Sequence, residues 1–236
     1  MYNVSLLWSS IEATPSHRYE NSVTIGNTQP DNGYQDDVLV AVSAQRRAFP
    51  GEEPSVGGCL AAELTVSMLA PSATIPRMAK VTPWIRVTDG SRVSEWIPQG
   101  VYFIDTRETT QNSDGLPVLS IHAFDGMLKT EADWPSTSHA WPATDLQMVQ
   151  DVAAAIGCGI DPRTVALLGR FSYGLPAGYS MREALGYIGA AYGGNWIMNY
   201  DGDLLLITVA GLPPETNYLV DENGNAITFG GDRILV

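Results

Sequence analysis

The segment Ala61 to Leu69 places the tightest limit on what this chain can fold into. Ala62, Leu64, Val66 and Met68 alternate with Glu63, Thr65 and Ser67. A period of two gathers the apolar groups on one side only if the backbone is an extended strand; a helix would scatter them around its surface. The same texture recurs through the first 130 residues, in short segments punctuated by Gly, Pro, Asn and Asp. Ser22 to Ile25 runs into Gly26-Asn27, and Val38 to Val42 follows. Val81 to Thr88 ends at Asp89-Gly90, a hairpin pair. Ser94 to Pro98, Gly100 to Glu108 and Val118 to Phe124 complete the set; in the last, Leu119, Ile121 and Ala123 alternate with Ser120, His122 and Phe124. About seven strands at roughly 8–12-residue spacing predict a small barrel or sandwich.

The period changes after Asp133-Trp134-Pro135-Ser136-Thr137-Ser138, a Pro/Ser-rich stretch of linker type. Thr144 is a good N-cap, and Leu146, Val149, Val152, Ala153 and Ile156 follow at three- and four-residue spacing before Gly157. Asp161-Pro162 sets a cap before an N1 proline and opens a short helix through Leu168. Ser180-Met181-Arg182-Glu183 is a capping box. Its helix should bury Ala184, Leu185, Ile188 and Tyr192 and stop at Gly193-Gly194. A hairpin of Trp196 to Met198 and Leu204 to Val209 follows, and short strands are expected between Asn217 and Phe229. The expected fold class is α+β: a β-barrel over 1–133, an α+β unit of helices and a hairpin over 134–212, and strands over 213–236 that lead into or pair with a barrel.

Charge narrows the function classes. The chain carries 26 acidic and 13 basic residues, a formal net charge of −13. A nonspecific nucleic-acid binder needs a basic face to neutralise phosphates, so that class is excluded, and docking to an anionic membrane is disfavoured. No apolar run reaches the roughly 18 residues a spanning helix needs. The first eight residues lack a basic segment followed by an apolar one, so no signal peptide is expected and synthesis in a reducing cytoplasm is. Cys59 and Cys158 lie beside glycines in apolar stretches and read as small buried residues.

No catalytic, cofactor or metal constellation stands out. Asp105 and Glu108 are close in sequence, but in a strand they point to opposite faces. His122 and Asp125 sit at a strand end, and His17 and His139 lie in polar loops; structural hydrogen bonding accounts for each. Ser180 serves better as a helix cap than as a nucleophile. Three dispersed His and two dispersed Cys lack zinc spacing. Asp221 to Asn225 resembles a calcium loop faintly, but glycine is its fourth residue rather than its sixth and the closing glutamate is absent. Asp201-Gly202-Asp203 reads as a hairpin turn. The loop from Pro50 to Gly58 is too acidic to cradle phosphate. Trp134 and Trp141 flank the linker; they are expected to pack between the two halves, with sugar stacking as the rival use. The expectation is a chain without enzymatic activity and without a cofactor.

Several segments, in order, carry a family resemblance: Ile75-Pro76-Arg77-Met78-Ala79-Lys80-Val81, Ser94-Glu95-Trp96-Ile97, Gly100 to Arg107, Asp125-Gly126-Met127-Leu128-Lys129, Asp161-Pro162-Arg163-Thr164, Gly178 to Ile188, and Ala226 to Gly231. Together they resemble the tail hub proteins of phages and prophages of Gram-positive bacteria. The resemblance implies two β-barrels related to the tail-tube fold, with α+β domains between and beside them. Three chains would form a ring of six barrels that adapts a six-fold tube to a three-fold tip. The implied partners are the tail tube, the distal tail protein and tip, spike or fibre proteins. The implied state is a homotrimer in the assembled tail, with no specific nucleic-acid or membrane binding. The implied location is the virion, assembled in the host cytoplasm. Hub proteins continue beyond the region matching Gly230-Gly231 into a second barrel, so this chain alone is expected to be monomeric or weakly associated. Only 2 of the 13 basic residues are Lys, which suits a surface past which DNA slides. Two rival readings accompany this one: a carbohydrate- or receptor-binding module of a tail tip, and a tail-associated cell-wall hydrolase.

Overall fold

The computed structural model describes residues 4–49, 51, 55–72, 74–137, 139–209, 228–229 and 232–233. The chain is α+β, with one large antiparallel sheet and a few short helices. The sheet contains β1 (Arg18–Ile25), β2 (Tyr34–Gln35), β3 (Leu39–Gln45), β4 (Glu63–Leu69), β5 (Lys80–Thr88), β6 (Ile97–Pro98), β7 (Tyr102–Gln111) and β8 (Pro117–Asp125). Its order is β2-β1-β5-β7-β8-β4-β3, with β6 added beside β5. Most neighbours pair along much of their length, but β5 and β7 meet only at Lys80↔Phe103 and Val81↔Tyr102.

The barrel expected from the sequence is not closed: among the described residues the ladder ends at β2 and β3. These two ends are nonetheless consecutive in the chain, with only Asp36, Asp37 and Val38 between them. Four Cα steps span at most about 15 Å, so both edges come to one corner and the sheet is rolled. Inside the roll lies one core: Val23 of β1, Leu64, Val66 and Met68 of β4, Val81 of β5, Tyr102 and Ile104 of β7, and Leu119, Ile121 and Ala123 of β8. The period-two reading of β4 and β8 is the observed one. Slipping β4 by a single residue would expose Leu64, Val66 and Met68. At about 2 kcal/mol for each buried side chain, that costs roughly 6 kcal/mol, comparable to the whole stability of a domain; the alternation therefore fixes the register.

The all-strand reading of the first half missed helix α1 (Leu6–Glu12). Ser5 caps it by accepting from the Trp8 amide at 3.1 Å. Trp8 and Ile11, three residues apart, press against Val87 and Ile97 in a small separate core. A 3₁₀ turn, Gly126–Glu131, was also missed; Asp125 caps it.

The second core gathers helix α2 (Asp145–Ile156), helix α4 (Met181–Ala191) and the hairpin of β11 (Gly194–Met198) and β12 (Leu204–Thr208). Helix α3 (Pro162–Leu167) lies beside β12, and β9 (Ala143–Thr144) pairs with β10 (Ser172–Tyr173). Thr144, Asp161 and Ser180 are the helix caps expected, and Gln147 adds a capping box at Thr144. Trp196 is fully buried, its indole N–H donating to the Leu185 carbonyl at 2.7 Å. This core also takes Met127 and, at its margin, Cys59 and Ala61. Near the C-terminus, β13 (Thr228–Phe229) pairs with β14 (Asp232–Arg233). The strand expected at Asn217 to Val220 and the turn at Asp221 to Asn225 lie outside the described residues.

Candidate interaction surfaces and the junction between the cores

The residues that could have carried chemistry are dispersed. Asp105 sits at a register shift in β7 and pairs with Arg77 at 2.9 Å. Glu108 is on the exposed part of β7, opposite Ser120. His122 lies 3.8 Å from Glu63, edge-on to the Phe124 ring at 4.7 Å, and Asp125 is buried. His17 bonds the Thr14 carbonyl at 2.7 Å. His139 bonds Asp151 at 2.7 Å, and this bond raises its pKa above the ordinary value. Asn199 holds the turn at Asp201 and Asp203 by accepting from both amides, while Asp203 accepts from the Gly159 amide. Cys59 and Cys158 are free and half-buried, and burial pushes their thiols up to about 12 and about 11. Such thiols stay protonated and inert at neutral pH. Among the described residues no group of three His, Cys, Asp or Glu could hold a metal ion, and no helix is long and apolar enough to cross a membrane.

The residues with the densest polar contacts join the two cores. Of the connection from β3 to β4, residues 55–61 run beside β11. The Gly57 amide donates to the Gly194 carbonyl, the Trp196 amide to Gly58, and the Leu60 amide to Trp196, each at 2.8 Å. This connection is a strap that adds a third, parallel segment to the hairpin. Asn195, 3% exposed, clamps it. Its Oδ1 accepts from the Gly58 amide at 2.8 Å, and its Nδ2 donates to the Ala48 and Ser55 carbonyls at 3.0 and 2.7 Å. Helix α4 closes over the strap at Gly186, where a Cβ would stand 2.8 Å from the Gly57 carbonyl oxygen; no larger residue allows that approach.

At the other end of the strap, the Arg46 guanidinium donates to the Gln99 carbonyl at 3.0 Å and the Met198 carbonyl at 3.3 Å, and lies 4.2 Å over the Tyr200 ring. It therefore bonds both parts of the molecule at once. Asp125 accepts from the Ala62 amide at 2.9 Å and the Met127 amide at 3.0 Å. Burial outweighs these two donors and raises its pKa to about 6. Lys129 lies 3.6 Å over the Phe103 ring and donates to the Ile156 carbonyl at 3.0 Å. A cleft of about 470 Å³ opens beside it, with Lys80, Cys158 and Asp203 also on its wall. Trp134 and Trp141 take no part in this junction. Both pack on the margin of the second core, with ring centroids 6.2 Å apart and planes at 68°, and line a surface groove of about 600 Å³ with His139, Pro176 and Tyr179.

Two elements of the sheet remain open to neighbours. β3 pairs only with β4 among the described residues, carries no charged side chain, and exposes Val40 at a bulge. The hairpin of β7 and β8 runs beyond the core: Thr106 to Gln111 are all exposed, and so is Leu116 near its tip. Sequence reasoning missed Asn195, Arg46 and the capping role of Asp125. A polar residue between Gly194 and the apolar Trp196-Ile197-Met198 was the one local signal for Asn195.

The sequence matches no protein-family model and no curated protein. Among solved structures, the fold is similar to that of the 43 kDa tail protein of prophage MuSo2 from Shewanella oneidensis. The TM-score is 0.56 at 14% identity, over 81% of this chain and 56% of that one. A tail protein from Neisseria meningitidis MC58 aligns with a TM-score of 0.49 at 12% identity, over 88% of this chain and 58% of that one. The chain thus spans little more than half the length of either protein. At such identities the likeness to the Shewanella protein is one of fold.

Proposed function

We propose that this chain is a structural component of the tail of a phage or prophage of Gram-positive bacteria, acting in the baseplate or tail-tip hub. It adapts the tail tube to the tip and lines the DNA path. The observation that carries this reading is the fold shared with the Shewanella prophage tail protein over 81% of the chain. The rolled sheet of residues 1–133 is the tail-tube-like domain, and the α+β unit of 134–212 braces it through the strap. The uncovered edge of β3 and the protruding β7–β8 hairpin supply backbone and side-chain contacts to neighbouring tail proteins, of the kind a ring requires. The net charge of −13 keeps passing phosphates from adhering. In this reading the chain is not a hydrolase; the pairing of Asp105 with Arg77 and the different surroundings of His122 and Asp125 support it.

Immunogold labelling of tail particles from a strain producing the tagged chain tests the assignment. Label at one end of the tail is expected; particles with intact tails and no label would overturn it. Sedimentation at micromolar concentration tests assembly: a monomer or weak associate is expected, and a stable closed trimer would show that one such domain suffices for the ring. Turnover of peptidoglycan that is lost in Asp105→Asn or Glu108→Gln would overturn the non-enzymatic reading.

A further inference from the structure

We propose that the groove bounded by Trp134 and Trp141 is a binding site for a neutral saccharide. Nothing in the hub reading uses it. The two indoles meet at 68° with centroids 6.2 Å apart and form an aromatic corner, and Tyr179 and Pro176 line the same groove. Such walls suit the C–H face of a pyranose ring. A volume of about 600 Å³ lies within the range of small-molecule sites.

The polar groups choose between ligands. His139 is held by Asp151 and the Ala140 carbonyl, and the Tyr179 hydroxyl interacts with Tyr187. The Trp134 indole N–H lines no open surface: it is buried and has no acceptor among the described residues. A proline-rich peptide, which presents carbonyls and needs surface N–H donors, therefore finds no Trp134 donor here. Asp133, Ser136 and Thr137 also line the groove, each with a polar side chain that bonds no other described residue. A carboxylate and hydroxyls with no partner among the described residues call for a ligand rich in O–H donors. Asp133, on a chain of net charge −13, repels polyanions. A neutral saccharide meets all three conditions.

The test uses the full chain, ¹⁵N-labelled, with its six indole N–H signals as reporters. The probes are N-acetylglucosamine trimer, maltotriose, a proline-rich decapeptide and a poly(glycerol phosphate). The Trp134 and Trp141 signals are expected to move saturably with a neutral saccharide at a Kd on the order of 1 mM. Asp133→Asn, at an exposed position, should weaken this roughly tenfold and leave the melting temperature unchanged. Trp141→Ala should abolish it. The proposal is overturned if neither saccharide moves these signals at about 10 mM. It is equally overturned if the peptide or the polyanion moves them instead, or if the saccharide response survives both substitutions. None of these outcomes bears on where the chain sits in a tail.

Discussion

Asn195→Asp changes one NH₂ to an oxygen at constant shape, and the structure makes that change severe. Oδ1 would keep its bond from the Gly58 amide. The second oxygen would face the Ala48 and Ser55 carbonyls, at the positions where Nδ2 now donates over 3.0 and 2.7 Å. The carbonyls of two residues that are themselves exposed lose their donor, and, more costly, a charge is introduced at a site that is 3% exposed and faces both of them. The expected loss is about 3–5 kcal/mol at pH 8, a large part of the roughly 5–15 kcal/mol that holds a domain together. Burial and the facing carbonyls raise the folded pKa of the new carboxyl above its unfolded value of about 3.9. Its protonated form, which can donate to one carbonyl, is thus favoured in the folded state. Relative stability is then fully present below the unfolded pKa and is lost as pH rises through the folded one. Urea denaturation followed by tryptophan fluorescence at about pH 5 and pH 8 should show the gap between variant and parent widening toward pH 8. A variant within about 1 kcal/mol of the parent at pH 8, or a gap that ignores pH, would refute the clamp.

Three further outcomes follow from local geometry. Burial opposes ionisation of Asp161, but bonds from Arg163 and Asn199 hold its pKa down to about 2. Its contribution, about 2 kcal/mol, is present above the unfolded pKa near 3.9 and lost as pH falls through 2, so Asp161→Asn should destabilise at pH 7 and converge with the parent in acid titrations. Ser180→Ala removes one arm of the α4 capping box and should cost about 1 kcal/mol by thermal or urea melts, with Glu183→Ala adding less than its own single effect because the two arms are reciprocal. Gly100 has φ +121°, and a Cβ there would collide with the Arg46 guanidinium and stand 2.8 Å from the Tyr102 ring. Gly100→Ala should therefore lower stability by about 2–4 kcal/mol by the same assays.

What could be read ahead of the structure were the features that repeat or that act within a few residues. β4 and β8 announced their buried faces by alternation, and Thr144, Asp161 and Ser180 announced three helices because a cap acts within three residues of itself. α1 escaped because a seven-residue helix with two buried side chains presents too little periodicity. The rolled sheet was legible as many short strands, but not the way its ends meet at Asp36 to Val38; that depends on which strands pair, and pairing is nonlocal. Trp134 and Trp141 were expected between the halves because they flank the Pro/Ser-rich stretch, yet they sit in a surface groove. The junction belongs instead to Arg46, Asp125 and Asn195, whose partners are mostly backbone atoms far away in sequence.

The strap also sets an order of events on the ribosome. Its bonds to Asn195 join residues 137, 140 and 147 positions apart. At about 5–20 residues per second, strand β4 emerges on the order of ten seconds before the hairpin that anchors its approach. During that interval the backbone of residues 55–60 has no β11 to pair with, and the final seating of the sheet awaits the second core. A nascent chain stalled before Gly194 would thus display an incompletely secured sheet, and emergence of the hairpin of β11 and β12, rather than synthesis of the sheet strands themselves, is the step that locks it.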